Sequence, residues 1–274
     1  MKIAILGAGA FGTALGGILA NNGYDVDYYD SKVEKERLSD VLVGAKYVVL
    51  CVPSKVAPYL LPYLPKDIPL IVATKGILSD EVFADFKDWM VLSGSGFADD
   101  IKACRETFFT ITDSRLEKLF KAPYVYFDKT FDRRGVLMCG ALKNVYAMYA
   151  GYKKLKPRTN KMRQYLEDAS YEMTHILDVN GANPMTVYLA CGLGDLTLTC
   201  SESSRNYAFG FNFRNNSSYA PEELVEGLET LKKIKHEDIA IPEIYEPEMQ
   251  LSYETIPKMH SIMDEILNVF KIMK

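Results

Sequence analysis

The chain has 274 residues, enough for one large domain or two of medium size. Its 36 acidic and 32 basic residues give a formal charge of −4, which argues against general nucleic-acid binding, because such binding relies on clustered basic charge. Apolar residues make up 48% of the chain and charged residues 25%, a balance that excludes a mainly disordered protein.

The first part of the chain, about 130 residues, alternates short β-type runs with helical stretches. Several of these runs are continuously apolar, which is typical of strands buried on both faces in a parallel sheet. The predicted strands cover residues 2–6, 26–29, 47–52, 70–73, 90–92, 108–111 and 124–127, and the predicted helices cover residues 11–22, 80–89, 99–106 and 114–121. This alternation predicts that residues 1–131 form a doubly wound, Rossmann-type α/β domain.

After about Phe131, helical periodicity replaces the strand signals. Apolar residues recur at three- and four-residue steps, as they do on one face of an α-helix. They are Met162, Tyr165, Leu166, Ala169, Met173, Ile176 and Leu177, then Leu224, Leu228 and Leu231, and finally Met259, Ile262, Met263, Ile266, Leu267 and Phe270. Residues 132–274 are therefore predicted to form an all-helical domain.

Three features bear on the compartment. The N-terminal segment MKIAILGAGAFG begins like a signal peptide, but it leads into a glycine pattern with no small-residue cleavage site, so a buried strand explains it better. The five cysteines include no C-x-x-C pair, which argues against a disulfide framework or a zinc site. No apolar run reaches about 18 residues, the length of a membrane-spanning helix. We therefore expect a cytoplasmic protein without a membrane span.

The segment Gly7-Ala8-Gly9-Ala10-Phe11-Gly12 fits the pattern G-x-G-x-x-G, and it follows an apolar strand and opens a helix, as that motif requires. Gly7 allows a tight turn, Gly9 lets a pyrophosphate approach the backbone, and Gly12 lets helix and strand pack closely. The helix N-terminus offers free N–H groups and a positive dipole end to the phosphates. The sequence thus predicts a dinucleotide site rather than a plain strand-to-helix turn.

Asp30 ends the second predicted strand, 18 residues after Gly12. A carboxylate there accepts hydrogen bonds from the adenine-side ribose and repels a 2′-phosphate, which favours NAD over NADP. Lys32 and Lys35 follow closely and offset the repulsion, so NADP remains an alternative.

Further motifs carry a family resemblance. They are Ala73-Thr74-Lys75-Gly76-Ile77, Gly140-Ala141-Leu142-Lys143-Asn144, Gly192-Leu193-Gly194-Asp195-Leu196 continuing to Thr199-Cys200, Ser204-Arg205-Asn206 and Val225-Glu226-Gly227. In order and approximate spacing this series resembles the NAD(P)-dependent glycerol-3-phosphate dehydrogenases over nearly the whole chain. The resemblance implies reduction of dihydroxyacetone phosphate to sn-glycerol 3-phosphate, which supplies glycerophospholipid synthesis, at a site between a Rossmann domain and a helical domain. We also expect a homodimer.

The sequence departs from the family pattern in three places. Val48 follows Asp30 by fewer than twenty residues, where the family usually carries a longer insertion. In Ser93-Gly94-Ser95-Gly96-Phe97-Ala98, Ser95 stands where the family has proline, and Gly96 leaves no side chain at the next position. Glu167-Asp168-Ala169 stands where the family typically has Thr-Arg-Gly, so a cationic position is acidic here.

Reduction of a ketone needs a hydride donor on one face and a proton donor at the carbonyl oxygen, where negative charge builds up. Lys143 is the best candidate acid, because it lies in an otherwise apolar helical stretch where desolvation and a second lysine lower its pKa. The resemblance makes this lysine the catalytic acid/base. Lys75 follows a strand expected to end at the cofactor crevice, and Asp195 is expected to orient Lys143 or the substrate hydroxyl.

Arg205 and Asn206 suit a phosphate, because a guanidinium holds two phosphate oxygens at once and an amide adds a neutral donor. The resemblance implies substrate contacts at Lys75, Gly94, Asn144, Asp195, Thr199, Ser204, Arg205 and Asn206. It implies cofactor contacts at Gly7, Gly9, Ala10, Phe11, Gly12, Asp30, Pro53, Lys75, Ala98, Arg205, Leu224 and Glu226. No grouping of His, Cys and acidic residues has ligand spacing, so no metal is expected.

Two other functions remain open from the sequence. Another hydroxyacid-type dehydrogenase with the same two domains would share the glycine turn and a catalytic lysine, but not the full series of motifs. A catalytically impaired NAD(P)-binding regulatory protein is favoured by the altered residues Gly96 and Asp168. The retained candidate residues oppose it; these are Lys75, Lys143, Asp195 and Arg205.

Overall fold

The computed structural model of the protein describes residues 1–31, 37–76, 79–236, 239–242 and 261–270. Seven strands form one sheet: β1 (Lys2–Leu6), β2 (Asp25–Tyr29), β3 (Tyr47–Leu50), β4 (Leu70–Val72), β5 (Trp89–Ser95), β6 (Thr107–Ile111) and β7 (Val125–Lys129). Their order is β2-β1-β3-β4-β5-β6-β7. The predicted α/β class and all seven predicted strands are confirmed, with bounds that shift by up to three residues.

One strand pair differs from the predicted parallel sheet. Strands β5 and β6 are antiparallel, with Leu92 opposite Ile111, whereas the other neighbouring strands are parallel. Only residues 96–106 connect β5 to β6, and they include the short helix α4 (Ala98–Lys102). A parallel crossover needs a dozen or more residues, so this short connection turns the chain back instead.

The remaining helices of this half lie beside the sheet. They are α1 (Ala10–Asn21), α2 (Leu38–Leu42), α3 (Ala57–Leu60) and α5 (Arg115–Leu119). The helix predicted over residues 80–89 is wrong, since that stretch contains only a 3₁₀ turn at Glu81–Phe83 before β5 begins. Phe83, Phe86 and Trp89 are all buried at a spacing of three, a pattern that imitates helical periodicity.

The second half is helical, as predicted. It consists of α6 (Arg133–Tyr152), α7 (Asn160–Val179), α8 (Asp195–Thr199), α9 (Arg205–Asn215), α10 (Glu226–His236) and α11 (Ile262–Val269). The periodic residues from Met162 to Leu177 lie in α7, whereas Leu224 precedes α10 and Met259 lies outside the described residues. No helix in the described ranges is long and apolar enough to cross a membrane.

Helix α6 is the centre of the molecule. Every residue from Gly135 to Gly151 is buried, so the helix is enclosed on all sides. One continuous apolar core joins Leu50 and Val72 of the sheet to Val145 of α6 and Phe270 after α11. The two halves therefore pack directly on each other, with α6 facing the sheet.

A single buried carboxylate holds α11 in place. Glu172 of α7 is 2% exposed and accepts hydrogen bonds from Ser261 Oγ (2.5 Å), Met263 N (3.1 Å) and Tyr146 Oη of α6 (2.9 Å). Burial raises the pKa of Glu172, although the same donors act against the rise. Three helices thus meet at one acidic side chain.

Replacing Glu172 by alanine is expected to reduce the free energy of unfolding by about 1–3 kcal/mol, because buried donors lose their acceptor. Glu167→Ala is the matched control on the same helix. Glu167 pairs on the surface with Arg163 at 3.0 Å, and exposed pairs of this spacing contribute only about 0.3–0.5 kcal/mol. Urea unfolding of both variants measures the difference, and equal losses would contradict the assignment.

Candidate active site

The glycine turn lies between β1 and α1. Gly7 has φ = +107°, and a Cβ at Gly12 would approach Gly7 O to 2.0 Å, so both positions require glycine. Gly9 is different, because a Cβ there would meet nothing within 4 Å. Gly9 therefore leaves open space in front of the N-terminus of α1, which is where the pyrophosphate of a dinucleotide binds in such turns. The residues of this turn fit an NAD(P) cofactor.

Asp30 is fixed beside this turn at the end of β2. Its Oδ2 accepts a hydrogen bond from Ala8 N at 3.1 Å, and Gly7 N donates to Tyr29 O at 2.8 Å. The carboxylate thus lies where an adenine-side ribose is bound in Rossmann domains. Lys32 and Lys35, the cations expected to offset it, lie outside the described residues.

A buried aspartate joins two lysines at the carboxyl edge of the sheet. Asp195 is 1% exposed; its Oδ1 lies 2.9 Å from Lys143 Nζ and its Oδ2 lies 2.9 Å from Lys75 Nζ. Lys143 Nζ also donates to Thr199 Oγ1 at 2.9 Å, and Lys75 Nζ lies 3.4 Å from Gly94 O. We call Lys75, Lys143, Asp195 and Thr199 the lysine–aspartate network. It unites the three candidate catalytic residues.

The electrostatics of this network suit proton transfer. Burial lowers the pKa of Lys143 to about 8, while Asp195 opposes the shift and Lys75 adds to it. Burial alone would raise the pKa of Asp195, but the two lysines outweigh it, so that pKa is lowered. Near neutral pH the network therefore contains a charged carboxylate and a lysine that can both give and take a proton.

The local sequence explains how Asp195 reaches Lys143. A π-helical turn, Ala190–Gly194, leads directly into α8, and Asp195 is the first residue of that helix. A Cβ at Gly192 would approach Val187 O to 2.1 Å, so the turn can fold this tightly only with glycine there. The Gly-Leu-Gly-Asp-Leu motif thus serves to deliver a carboxylate into the core.

Two asparagines connect the helices around Lys143. Asn206 Nδ2 donates to Asn144 Oδ1 at 2.9 Å, and Gly227 N donates to Asn206 Oδ1 at 2.9 Å. Asn144 Nδ2 in turn donates to Gly140 O at 3.1 Å. The amides of the two predicted site residues therefore hold α6, α9 and the start of α10 together beside the lysine.

Helix α10 binds the loops of the other half. Glu226 Oε2 accepts from Ser54 Oγ at 2.9 Å, and Lys233 Nζ donates to Gly76 O at 2.9 Å. Burial raises the pKa of Glu226, while Ser54 acts against the rise. Ser54 and Lys233 lie outside every motif that the sequence analysis used, and only the position of Ser54 next to Pro53 could have drawn attention to it.

The other predicted residues take varied positions. Phe11 of the glycine turn lies beneath Lys75, whose Nζ is 5.4 Å from the ring centroid, so the turn and the lysine–aspartate network adjoin. Arg205 is different: its side chain is 67% exposed at the start of α9, with Nη1 at 3.1 Å from Glu223 Oε2. The remaining ones are Pro53 after β3, Ala98 at the start of α4, Leu224 just before α10 and the buried Ser204 preceding α9.

The acidic substitution on α7 does not reach this site. Asp168 Oδ1 accepts from Gln164 Nε2 at 2.9 Å, and Glu167 pairs with Arg163, so both contacts are made within their own helix. The structure thus gives the altered position Asp168 no contact with the lysine–aspartate network.

Among the described residues, no group of three or more His, Cys, Asp or Glu side chains could hold a metal ion.

The matching family model and the similar sequences belong to one family. The model of the C-terminal domain of NAD-dependent glycerol-3-phosphate dehydrogenase matches residues 132–268. The glycerol-3-phosphate dehydrogenase [NAD(P)+] of Teredinibacter turnerae is 31% identical over 86% of this chain and 84% of its own. The Leptospira biflexa protein of that name is 31% identical over 86% and 87%. The crystal structure of glycerol-3-phosphate dehydrogenase from Coxiella burnetii gives a TM-score of 0.73 at 26% identity, covering 86% of this chain and 88% of that one.

NADH is expected to bind more tightly than NADPH, because the Asp30 carboxylate repels a 2′-phosphate. Asp30→Asn removes the charge but keeps an acceptor for Ala8 N, so it should narrow the difference. Asp27→Asn is the control on the same strand, since Asp27 pairs with Lys2 at 2.7 Å. Fluorescence titration of each reduced nucleotide gives the dissociation constants, and tighter binding of NADPH by the wild type would refute this role of Asp30.

Proposed function

This chain belongs to the NAD-dependent glycerol-3-phosphate dehydrogenase family, and we propose that it reduces dihydroxyacetone phosphate to sn-glycerol 3-phosphate with NADH or NADPH. The observation that carries the proposal is the buried lysine–aspartate network at the carboxyl edge of the sheet, next to the glycine turn. When bound, the reduced nicotinamide supplies the hydride for the ketone carbon. The chain itself supplies the proton.

Lys143 is the proposed acid. Its ammonium donates a proton to the carbonyl oxygen of the substrate as negative charge builds up there, and in the reverse direction the neutral amine takes the proton back. A pKa of about 8 leaves most Lys143 side chains protonated at neutral pH and makes them stronger acids than an exposed lysine. Asp195 and Thr199 hold Nζ in position through bonds of 2.9 Å each.

We assign the substrate phosphate to the start of α9. Arg205 presents an exposed guanidinium there, and Glu223 is its carboxylate partner in this structure. A phosphate carries more charge than a carboxylate and fits the guanidinium fork, so it can replace Glu223 as the partner. Ser204 and Asn206 flank Arg205, while Lys75 supplies positive charge near the carbonyl group.

Most of the cofactor site is assigned to residues 1–131, and the catalytic lysine to residues 132–274. The open space at Gly9 supports a pyrophosphate there, and Asp30 supports ribose binding. The family resemblance adds Pro53, Ala98, Leu224 and Glu226 to the cofactor site, around the loops that α10 binds. The test of the whole proposal is oxidation of NADH and NADPH by dihydroxyacetone phosphate, followed at the absorbance of the reduced nicotinamide.

We further propose a cytoplasmic homodimer that feeds glycerophospholipid synthesis. Large apolar side chains on one surface support self-association: Phe131 is 97% exposed, and Met185 and Tyr188 are exposed on the neighbouring turn. Asp132, next to Phe131, joins this residue to the turn, because Asp132 Oδ2 accepts a hydrogen bond from Thr186 Oγ1 at 2.6 Å. The odd number of cysteines without a C-x-x-C pair supports the compartment.

Lys143→Ala is expected to lower turnover by about 10²–10⁴-fold, the usual contribution of positioned proton transfer. NADH affinity should stay near the wild-type value, because the glycine turn is intact. In the wild type, kcat/KM for reduction should fall as pH rises through about 8, since the protonated lysine is the acid, and the oxidation rate should rise over the same range.

Lys143→Arg keeps a cation that cannot easily lose its proton, so it should restore little activity. Lys153→Ala, at the end of the same helix, is the control and should behave as the wild type. Activity, NADH affinity and thermal melting are measured on one preparation of each variant. A Lys143→Ala protein with lowered melting temperature but near-normal activity per folded molecule would refute the assignment of Lys143 as the acid.

Arg205→Lys is expected to raise KM for dihydroxyacetone phosphate by roughly tenfold to a hundredfold, the effect of losing one charge-assisted hydrogen bond of about 1.5–3 kcal/mol. NADH affinity should change little. Arg214→Lys tests the same change at the other end of α9, where Arg214 bonds Tyr152 Oη at 2.9 Å, and should leave KM unchanged. Steady-state kinetics measure these KM values. An equal loss of cofactor affinity in Arg205→Lys would assign Arg205 to the cofactor site instead.

A further inference from the structure

The carboxyl end of β5 carries two hydroxyl groups, those of Ser93 and Ser95. Ser93 and Ser95 lie on the same face of the strand, because alternate residues share a face. Ser93 Oγ lies 3.2 Å from the Cβ position of Gly140 in α6, and Ser95 Oγ lies 3.4 Å from that of Gly194. Gly194 directly precedes Asp195, so the Ser95 hydroxyl packs against the turn that delivers this carboxylate into the core.

The Ser95 hydroxyl has no hydrogen-bond partner within the described part of the chain. The same holds for Ser93 Oγ, but Ser93 is buried at 6% exposure, whereas Ser95 is half-buried at the end of the strand. The residue between them places its carbonyl oxygen 3.4 Å from Lys75 Nζ. Ser95 is therefore the hydroxyl that a molecule bound at the lysines can reach.

The glycines on both sides of Ser95 cannot be replaced by larger residues without a shift of the backbone or of a buried neighbour. A Cβ at Gly94 would approach Phe108 O to 2.2 Å, and a Cβ at Gly96 would approach Thr107 Cγ2 to 2.6 Å. Thr107 is fully buried, and its hydroxyl donates to Arg105 O at 3.0 Å, so its methyl group is held toward Gly96. Within residues 94–96, Ser95 alone offers a polar side chain.

We propose that Ser95 is a substrate-binding residue whose hydroxyl bonds an oxygen of the phosphorylated ketone held by Lys75 and Lys143. This inference rests on the proposed function. A hydroxyl both donates and accepts, so it can serve the ketone substrate and the alcohol product without adding charge to a site that already holds two lysines and one aspartate. The proline typical of the family at this position has no hydroxyl, so a family member with that proline lacks this contact.

Ser95→Ala is expected to raise KM for dihydroxyacetone phosphate about three- to tenfold, the effect of losing one hydrogen bond to substrate. The dissociation constant for NADH should stay within twofold of the wild-type value. Ser95→Cys keeps nearly the same volume but has a weak donor, so it should raise KM as the alanine variant does. Ser93→Ala, on the same face of β5, controls for packing and should leave KM unchanged.

The outcomes separate the two proposals. A wild-type protein that oxidises no NADH with dihydroxyacetone phosphate overturns the proposed function and, with it, this inference. An active wild type with an unchanged KM in Ser95→Ala overturns the inference alone. So does an equal rise of KM in Ser93→Ala, or a loss of NADH affinity as large as the loss of substrate affinity. Thermal melting of each variant confirms that folded proteins are compared.

Discussion

The buried ion pair between Lys143 and Asp195 is the interaction on which the rest of the structure depends. An isolated ammonium inside an apolar helix costs several kcal/mol, so a carboxylate has to come within bonding distance of it. That carboxylate comes from α8, which reaches α6 only through the tight turn at Gly192. Lys75 approaches the same carboxylate from the sheet. The charges proposed to perform the chemistry therefore also connect the two halves of the molecule.

Two residues of α10 hold the loops that follow β3 and β4. Glu226 bonds Ser54 in the first loop, and Lys233 bonds the carbonyl group of Gly76 in the second. Lys75 directly precedes Gly76 and also contacts Asp195 of α8. Helix α10 therefore helps to set the position of this lysine. The loops proposed to bind the cofactor and the proposed proton donor are thus linked through α10 and Asp195, and such fixed positions favour hydride and proton transfer to adjacent atoms.

Local patterns predicted the strands, the glycine turn and Lys143, because each depends on neighbours in sequence or on an unusual charge in an apolar helix. Lys75, Asp195 and Thr199 were predicted from the family resemblance. The two errors concern the direction of β6 and the stretch of residues 80–89. The antiparallel β6 follows from a connection too short for a crossover, and the supposed helix over residues 80–89 from aromatic side chains that pack at a spacing of three. The bond between Glu226 and Ser54 spans 172 positions, and no pattern in either segment announces it.

The separation between Glu172 and its donors has a consequence for synthesis on the ribosome. Ser261 follows Glu172 by 89 positions, so at about 5–20 residues per second the carboxylate is made roughly 4–18 s before that hydroxyl exists. The sheet needs only residues up to Lys129 and can assemble earlier. During the interval α6 and α7 lack the contacts of α11, and their apolar surfaces are open to chaperones or to aggregation. The helical half of the nascent chain is therefore exposed to misfolding until Ser261 is made.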